Sequence, residues 1–191
     1  AVEEFRQHGF RDTVILSAIL LLLAQSARQS MEPEGKMKER IRKTLRQKFD
    51  REVKNLKKVP PAKLSIIRPE LNNELNRRIQ ATEDLILSNR ELAIDRMLRS
   101  FQGWATSVPT GGTEAGKARE TVNQVGKPVS NIIRDERRIT LDQSNKMTEN
   151  VKHIAAERTG AIAGIWHSMW REPGYNYREP HKKLDVSGEI F

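Results

Sequence analysis

The sequence predicts a mainly α protein, with an elongated N-terminal region of long helices and a small C-terminal α+β module built on a short β-hairpin. Three observations predict it. Apolar residues recur at three- and four-residue steps through long stretches bounded by Pro and Gly. Charged residues make up 31% of the 191-residue chain and aromatic ones 5%, a composition poor in core formers and rich in solvated helix surface. Beyond Gly160 the texture changes to a short run of β-formers around a Pro-Gly turn.

Residues 1–104 read as the long-helix region, with helices over about 3–30, 36–59 and 69–101. The first is apolar all round from Val14 to Ala24, and its uncharged run from Thr13 to Ala27 spans about 22 Å of helix. A bilayer core needs about 20 residues, so the run falls short of a span. A secretory signal is disfavoured by Glu3, Glu4 and Asp12 in the preceding segment. Burial in a bundle or against a partner is the expected use, through Val14, Ile15, Ile19, Leu22 and Leu23.

Met31 to Gly35 breaks the chain, and the second helix follows with Met37, Ile41, Leu45, Phe49, Val53 and Leu56 as a narrow stripe ending at Pro60 and Pro61. Leu64, Ile66 and Ile67 read as a connector, and Pro69 as the first turn of the third helix. There Leu71, Leu75, Ile79, Ile86, Ala93 and Met97 form the inner face, widened by Leu85, Leu92, Ile94 and Leu98. Charges along it balance, and the acids Glu83 and Asp84 are placed on its solvent side.

Residues 105–127 read as a loop with a short helix capped by Thr113, and residues 128–191 as a helix plus hairpin module. Pro128 opens that helix, whose inner residues are expected to be Ile132, Ile133, Ile139, Met147, Val151 and Ile154; its centre, Asp142 to Lys146, is polar. Ala161 to Met169 and Tyr175 to Arg178 are the two expected strands. The chain stops at Glu189, Ile190 and Phe191 without a helix-ending signal and reads as part of something longer.

Function is signalled first by charge. The formal net charge is +9. Eleven cations lie between residues 36 and 58: Lys36, Lys38, Arg40, Arg42, Lys43, Arg46, Lys48, Arg51, Lys54, Lys57 and Lys58. Only Glu39, Asp50 and Glu52 oppose them, so one helix carries nearly the whole imbalance. Such a rod neutralises phosphates without reading bases, since Asn and Gln are sparse in it. A solvated helix face is the bland reading of the same run.

Catalysis has little support. There is no Cys, no nucleophile elbow and no phosphate-cradling Gly loop, and no cofactor is implied. His167, His181 and Asp185 could hold a metal, but their spacing is not that of a ligand set, and such residues more often serve as hydrogen-bonded structural groups. Trp166 and Trp170 read as core or interface residues.

The C-terminal third carries a resemblance. Arg138, Ile139 and Thr140 on a helix running through Asn150 and Ala155, then Gly160, Gly164, Ile165 and Trp166, Arg178 to His181, Leu184 and Gly188 occur in that order. Over residues 134–191 this resembles the head-morphogenesis, or Mu F-like minor capsid, family of tailed phages, with Trp166, Arg178, His181 and Gly188 as its motif positions. In place of the family's Arg-Ile-Ala-Arg element the chain reads Arg138-Ile-Thr-Leu141.

The resemblance implies a non-enzymatic minor head protein of the virion, present in several copies at the portal vertex or capsid interior and in host cytoplasm during assembly. Its partners would be the portal and major capsid proteins and, non-specifically, double-stranded DNA, in head morphogenesis, packaging and ejection. The competing reading is a membrane-active DNA-ejection protein that uses the apolar first helix.

Overall fold

The structure, a computed structural model, describes residues 13–57, 59–107, 118–161 and 178–188. Six helices account for nearly all of them: α1 (Thr13–Ser30), α2 (Glu34–Asn55), α3 (Pro61–Ser107), α4 (Ala118–Ser130), α5 (Ile132–Arg158) and α6 (Glu179–Ser187).

The expected β-hairpin is overturned. Among the described residues there is no strand, and Glu179–Ser187, beyond the expected return strand, is helical. Its signals were there to be read. Arg178 is extended at the N-cap, Pro180 sits in the first turn where no intrahelical N–H is needed, and Gly188 caps the end in the left-handed conformation at φ 62°. Residues 162–177, with Trp166, His167 and most of the expected hairpin, lie outside the described residues, as do the N-terminal residues 3–12 of the expected first helix.

Two further boundaries move. α3 begins at Pro61, so Leu64, Ile66 and Ile67 are helical and Pro69 lies inside a 47-residue rod. Pro69 removes one backbone bond, to the Ser65 carbonyl, but both residues are on the exposed side, where water solvates the freed oxygen. Pro128 likewise lies inside α4 rather than opening α5, and the break falls at Asn131.

The main core is built by α2, α3 and α5. Met37, Ile41, Leu45 and Phe49 of α2 are at most 1% exposed and Val53 is also buried; they meet Ile67, Leu71, Leu75, Ile79 and Ile86 of α3 and Met147, Val151 and Ala155 of α5. Residues spaced by four advance about 40° per step on a 3.6-residue helix. The α2 stripe therefore winds round its helix, and burying all of it takes both neighbours, α3 and α5. Arg68 lies over the Phe49 ring at 5.7 Å and covers its outer side.

A second core lies at the far end of α3. Ala24 and Ala27 of α1 pack with Ile94 and Met97 of α3 and Val125 of α4, and Ile19 meets Ala105 beside Phe101 and Trp104, whose rings are 5.6 Å apart. The order of these contacts, with Arg28 paired to Glu91, makes α1 antiparallel to α3.

α5 buries a more polar face than its sequence promised. Ile132, Met147 and Val151 are buried and Ile139 and Ile154 half-buried, but Ile133 is 66% exposed, while Glu136, Thr140, Gln143, Ser144 and Thr148 point inward. Thr140 satisfies its hydroxyl on the Glu136 carbonyl at 2.8 Å, which lets a small polar group be buried without loss.

Candidate nucleic-acid interface

The buried stripe fixes which way each cation of α2 points. Those flanking it are held by carboxylates of the fold. Arg42 donates from Nε to Glu83 Oε1 at 2.8 Å and from Nη2 to Glu83 Oε2 at 3.3 Å. Glu83 is only 2% exposed, which corrects its placement on the solvent side; its partner comes from another helix, so nothing local in the sequence marks it. Arg40 donates to Glu32 Oε2 and, through Nη2, to Glu136 Oε2 at 2.8 Å. Lys38 pairs with Glu34 one turn earlier at 2.5 Å, and Lys48 lies 4.0 Å from Glu52.

Glu136 is the hub of a buried polar layer. It accepts from Arg40 and also from Arg90 Nε at 2.7 Å, while Arg90 Nη1 donates to the Glu32 carbonyl at 2.8 Å. Arg90 sits on α3 midway between Ile86 of the main core and Ile94 of the second, so the layer separates the two cores and ties α2, α3, α5 and the α1–α2 turn together.

A parallel arrangement surrounds Glu74. It accepts from Arg77, from Arg78 Nε at 2.7 Å and from Asn150 Nδ2 at 2.8 Å, while Arg78 reaches on to Gln143 at 3.1 Å. Burial pushes the Glu74 carboxyl up, but the hydrogen bonds from Arg78, Arg77 and Asn150 outweigh it and hold the group below the ordinary carboxylate value.

What remains outward is a set of exposed cations. Lys36, Lys43, Arg46, Arg51, Lys54 and Lys57 are exposed, and among the described residues none of them makes an ion pair or side-chain hydrogen bond. Lys36, Lys43 and Lys54 fall on one line of the helix opposite the buried stripe, about 27 Å long at about 1.5 Å per residue. A shallow basin on this side is lined by Gly35, Glu39, Arg42, Lys43, Arg46, Gln47 and Asp50. Lys58 lies outside the described residues. The sequence-predicted set thus divides: six cations are available for an external polyanion, and Lys38, Arg40, Arg42 and Lys48 have internal partners.

The expected partner-binding residues also divide. Ile19 is buried and Ile15 and Leu23 are half-buried against α3, whereas Val14 is 75% and Leu22 63% exposed, joined by Leu21 at 72%. By length and composition one stretch beginning at Val14 is apolar enough to cross a membrane, and most of it is exposed.

Of the motif positions, Arg178 caps α6, His181 is half-buried within it and Gly188 ends it. Asp185, one turn after His181, is buried. Among the described residues no three His, Asp or Glu side chains are grouped as metal ligands. No family model, no curated protein and no solved structure matches this chain.

Proposed function

We propose that this chain is a non-enzymatic structural protein that binds double-stranded DNA electrostatically through the outer face of α2, in the setting of a phage minor head component at the portal or capsid interior. The observation that carries the DNA part is the unpartnered state of Lys36, Lys43, Arg46, Arg51, Lys54 and Lys57. Cations without internal carboxylates are free to displace counterions from a phosphate backbone, and a straight line of them suits a sequence-independent contact. The head setting rests on the C-terminal resemblance, and the bundle supplies what such a component needs: a rigid long helix, an external polyanion surface and an apolar edge for a protein partner.

The test is a pull-down of the purified protein against portal and major capsid proteins, with DNA binding followed across a salt series. Six phosphate contacts give a log–log salt slope of about −5, whereas engagement of all eleven cations gives about −10. Lys43→Glu, Arg46→Glu and Lys54→Glu together should abolish binding at moderate salt and leave the helical circular dichroism unchanged. Retained binding sinks the assignment to this face. Failure to retain either head protein sinks the capsid setting alone.

The exposed Val14, Leu21 and Leu22 favour one second reading, a membrane-active ejection protein. Co-flotation with anionic lipid vesicles that Leu21→Ser and Leu22→Ser abolish supports it.

A further inference from the structure

A groove of about 340 Å³ opens where α3 meets α4 and the start of α5, and it contains no residue of α2. Three cations converge on it from three helices: Arg96 of α3, Lys127 of α4 and Arg134 of α5. All three are exposed, and the carboxylate that lines the groove, Asp135, forms a loose ion pair with Arg134 Nε at 3.6 Å, longer than a hydrogen bond, so it offsets one of the three charges. The site keeps a local charge of about +2 after that acid is counted.

The groove is also lined by Asn89, whose Nδ2 is shut off from solvent without any hydrogen-bond partner. A buried donor left unpaired is costly, and native folds leave few of them. A half-turn about the last side-chain bond, a broad torsion, exchanges Nδ2 with Oδ1 and lets the amide offer its N–H₂ to the groove that Asn89 lines, with Oδ1 then in the enclosed position. A neutral donor with three surrounding cations is the donor set for an oxyanion, and Asn131 supplies a second side-chain amide in the same groove.

We propose that this groove binds a phosphate group, either as free phosphate or as the backbone phosphate of a nucleic acid. It stands independently of the DNA contact on α2. Arg96 and Arg134 provide the planar donor forks that phosphate oxygens take in pairs, Lys127 adds a point charge, and Asn89 completes the floor.

The experiment is a titration of the full ¹⁵N-labelled chain with inorganic phosphate, at ionic strength held constant with chloride, reading the side-chain amide resonances of Asn89 and Asn131. Saturable shifts at both, with the amides around Lys36, Lys43 and Lys54 unmoved, are expected. Arg96→Ala and Lys127→Ala should each weaken the apparent affinity by about three- to tenfold, and Asn89→Asp should abolish saturation while the backbone spectrum stays native. Non-saturating shifts spread over the groove and the α2 face alike overturn the proposal, as does saturation that survives Asn89→Asp. A duplex-DNA arm separates the sources. Weaker DNA binding in the Arg96→Ala/Lys127→Ala variant identifies a backbone phosphate, and unchanged DNA binding with lost phosphate shifts identifies the free ion.

Discussion

α1 and α2 are neighbours in sequence and opposites in chemistry. α1 is uncharged from Thr13 to Ala27 and is the most apolar segment of the chain, yet among its described side chains only Ile19, Ala24 and Ala27 are buried. α2 is the most basic segment, yet five of its residues are buried, four of them almost completely. Burial follows the fit of a stripe to its neighbours rather than apolar content. The α2 stripe seats long side chains between two helices, whereas α1 sets small alanines against α3 and Val125 of α4 and leaves Val14, Leu21 and Leu22 outside.

The contrast breaks most visibly in the core. Leu45→Asp places a carboxylate in a fully buried position within an apolar cluster, and it should cost about 5 kcal/mol or more, leaving the chain unfolded by circular dichroism. A folded variant would mean that α2 is not seated by its stripe. Glu136→Ala removes the shared acceptor of Arg40 and Arg90, and the uncompensated buried charge should cost about 3–5 kcal/mol in a urea melt. A loss below about 1 kcal/mol would show that the polar layer is solvated and does not hold α2 to α5.

Glu74 sharpens the comparison by pH. Its folded-state pKa is depressed below 4.5, so the stability it contributes is fully present above that value and is lost as pH falls through the depressed one. Urea midpoints of the native chain should therefore fall between neutral pH and about pH 3 by more than those of Glu74→Gln. Equal slopes would remove the carboxylate from the account. The smallest effect belongs to α1. Leu21→Ser and Leu22→Ser should each change stability by less than about 0.5 kcal/mol, because both side chains already face water. A loss of several kcal/mol would place them in a buried contact.

The inner faces of α2 and α3 were legible because period and burial agree: every stripe residue from Met37 to Val53, and Leu71, Leu75, Ile79, Ile86, Ala93 and Met97, is buried as expected. Widening the α3 face worked for Ile94 and partly for Leu98, but Leu85 and Leu92 are nearly half exposed. Proline misled twice. Pro69 and Pro128 both lie inside helices rather than opening them; at Pro69 the residue and the carbonyl it frees are on the exposed side, where water takes the lost bond. The C-terminal helix Glu179–Ser187 is signalled by a pair of residues that the strand pattern overshadows, Pro180 in the first turn and Gly188 at the cap.

Of the site, the density of charge was visible and its division was not. Whether a cation faces water or a carboxylate depends on partners 41 and 96 residues away, Glu83 for Arg42 and Glu136 for Arg40, and no local pattern encodes those distances. The Arg96, Lys127 and Arg134 groove was missed for the same reason, its three cations being spread over three helices.

α3 spans both cores, and Arg90 marks where one gives way to the other. Two packed units that share a rod but no buried apolar residue need not open together. Amide exchange should then show two tiers, with amides near Ile19 to Ala27 and Ile94 to Ala105 released by a sub-global opening that leaves those of Met37 to Val53 and Met147 to Ala155 protected until the whole chain unfolds. Under load, the end built on α1 would yield first and the end built on α2 would keep its shape.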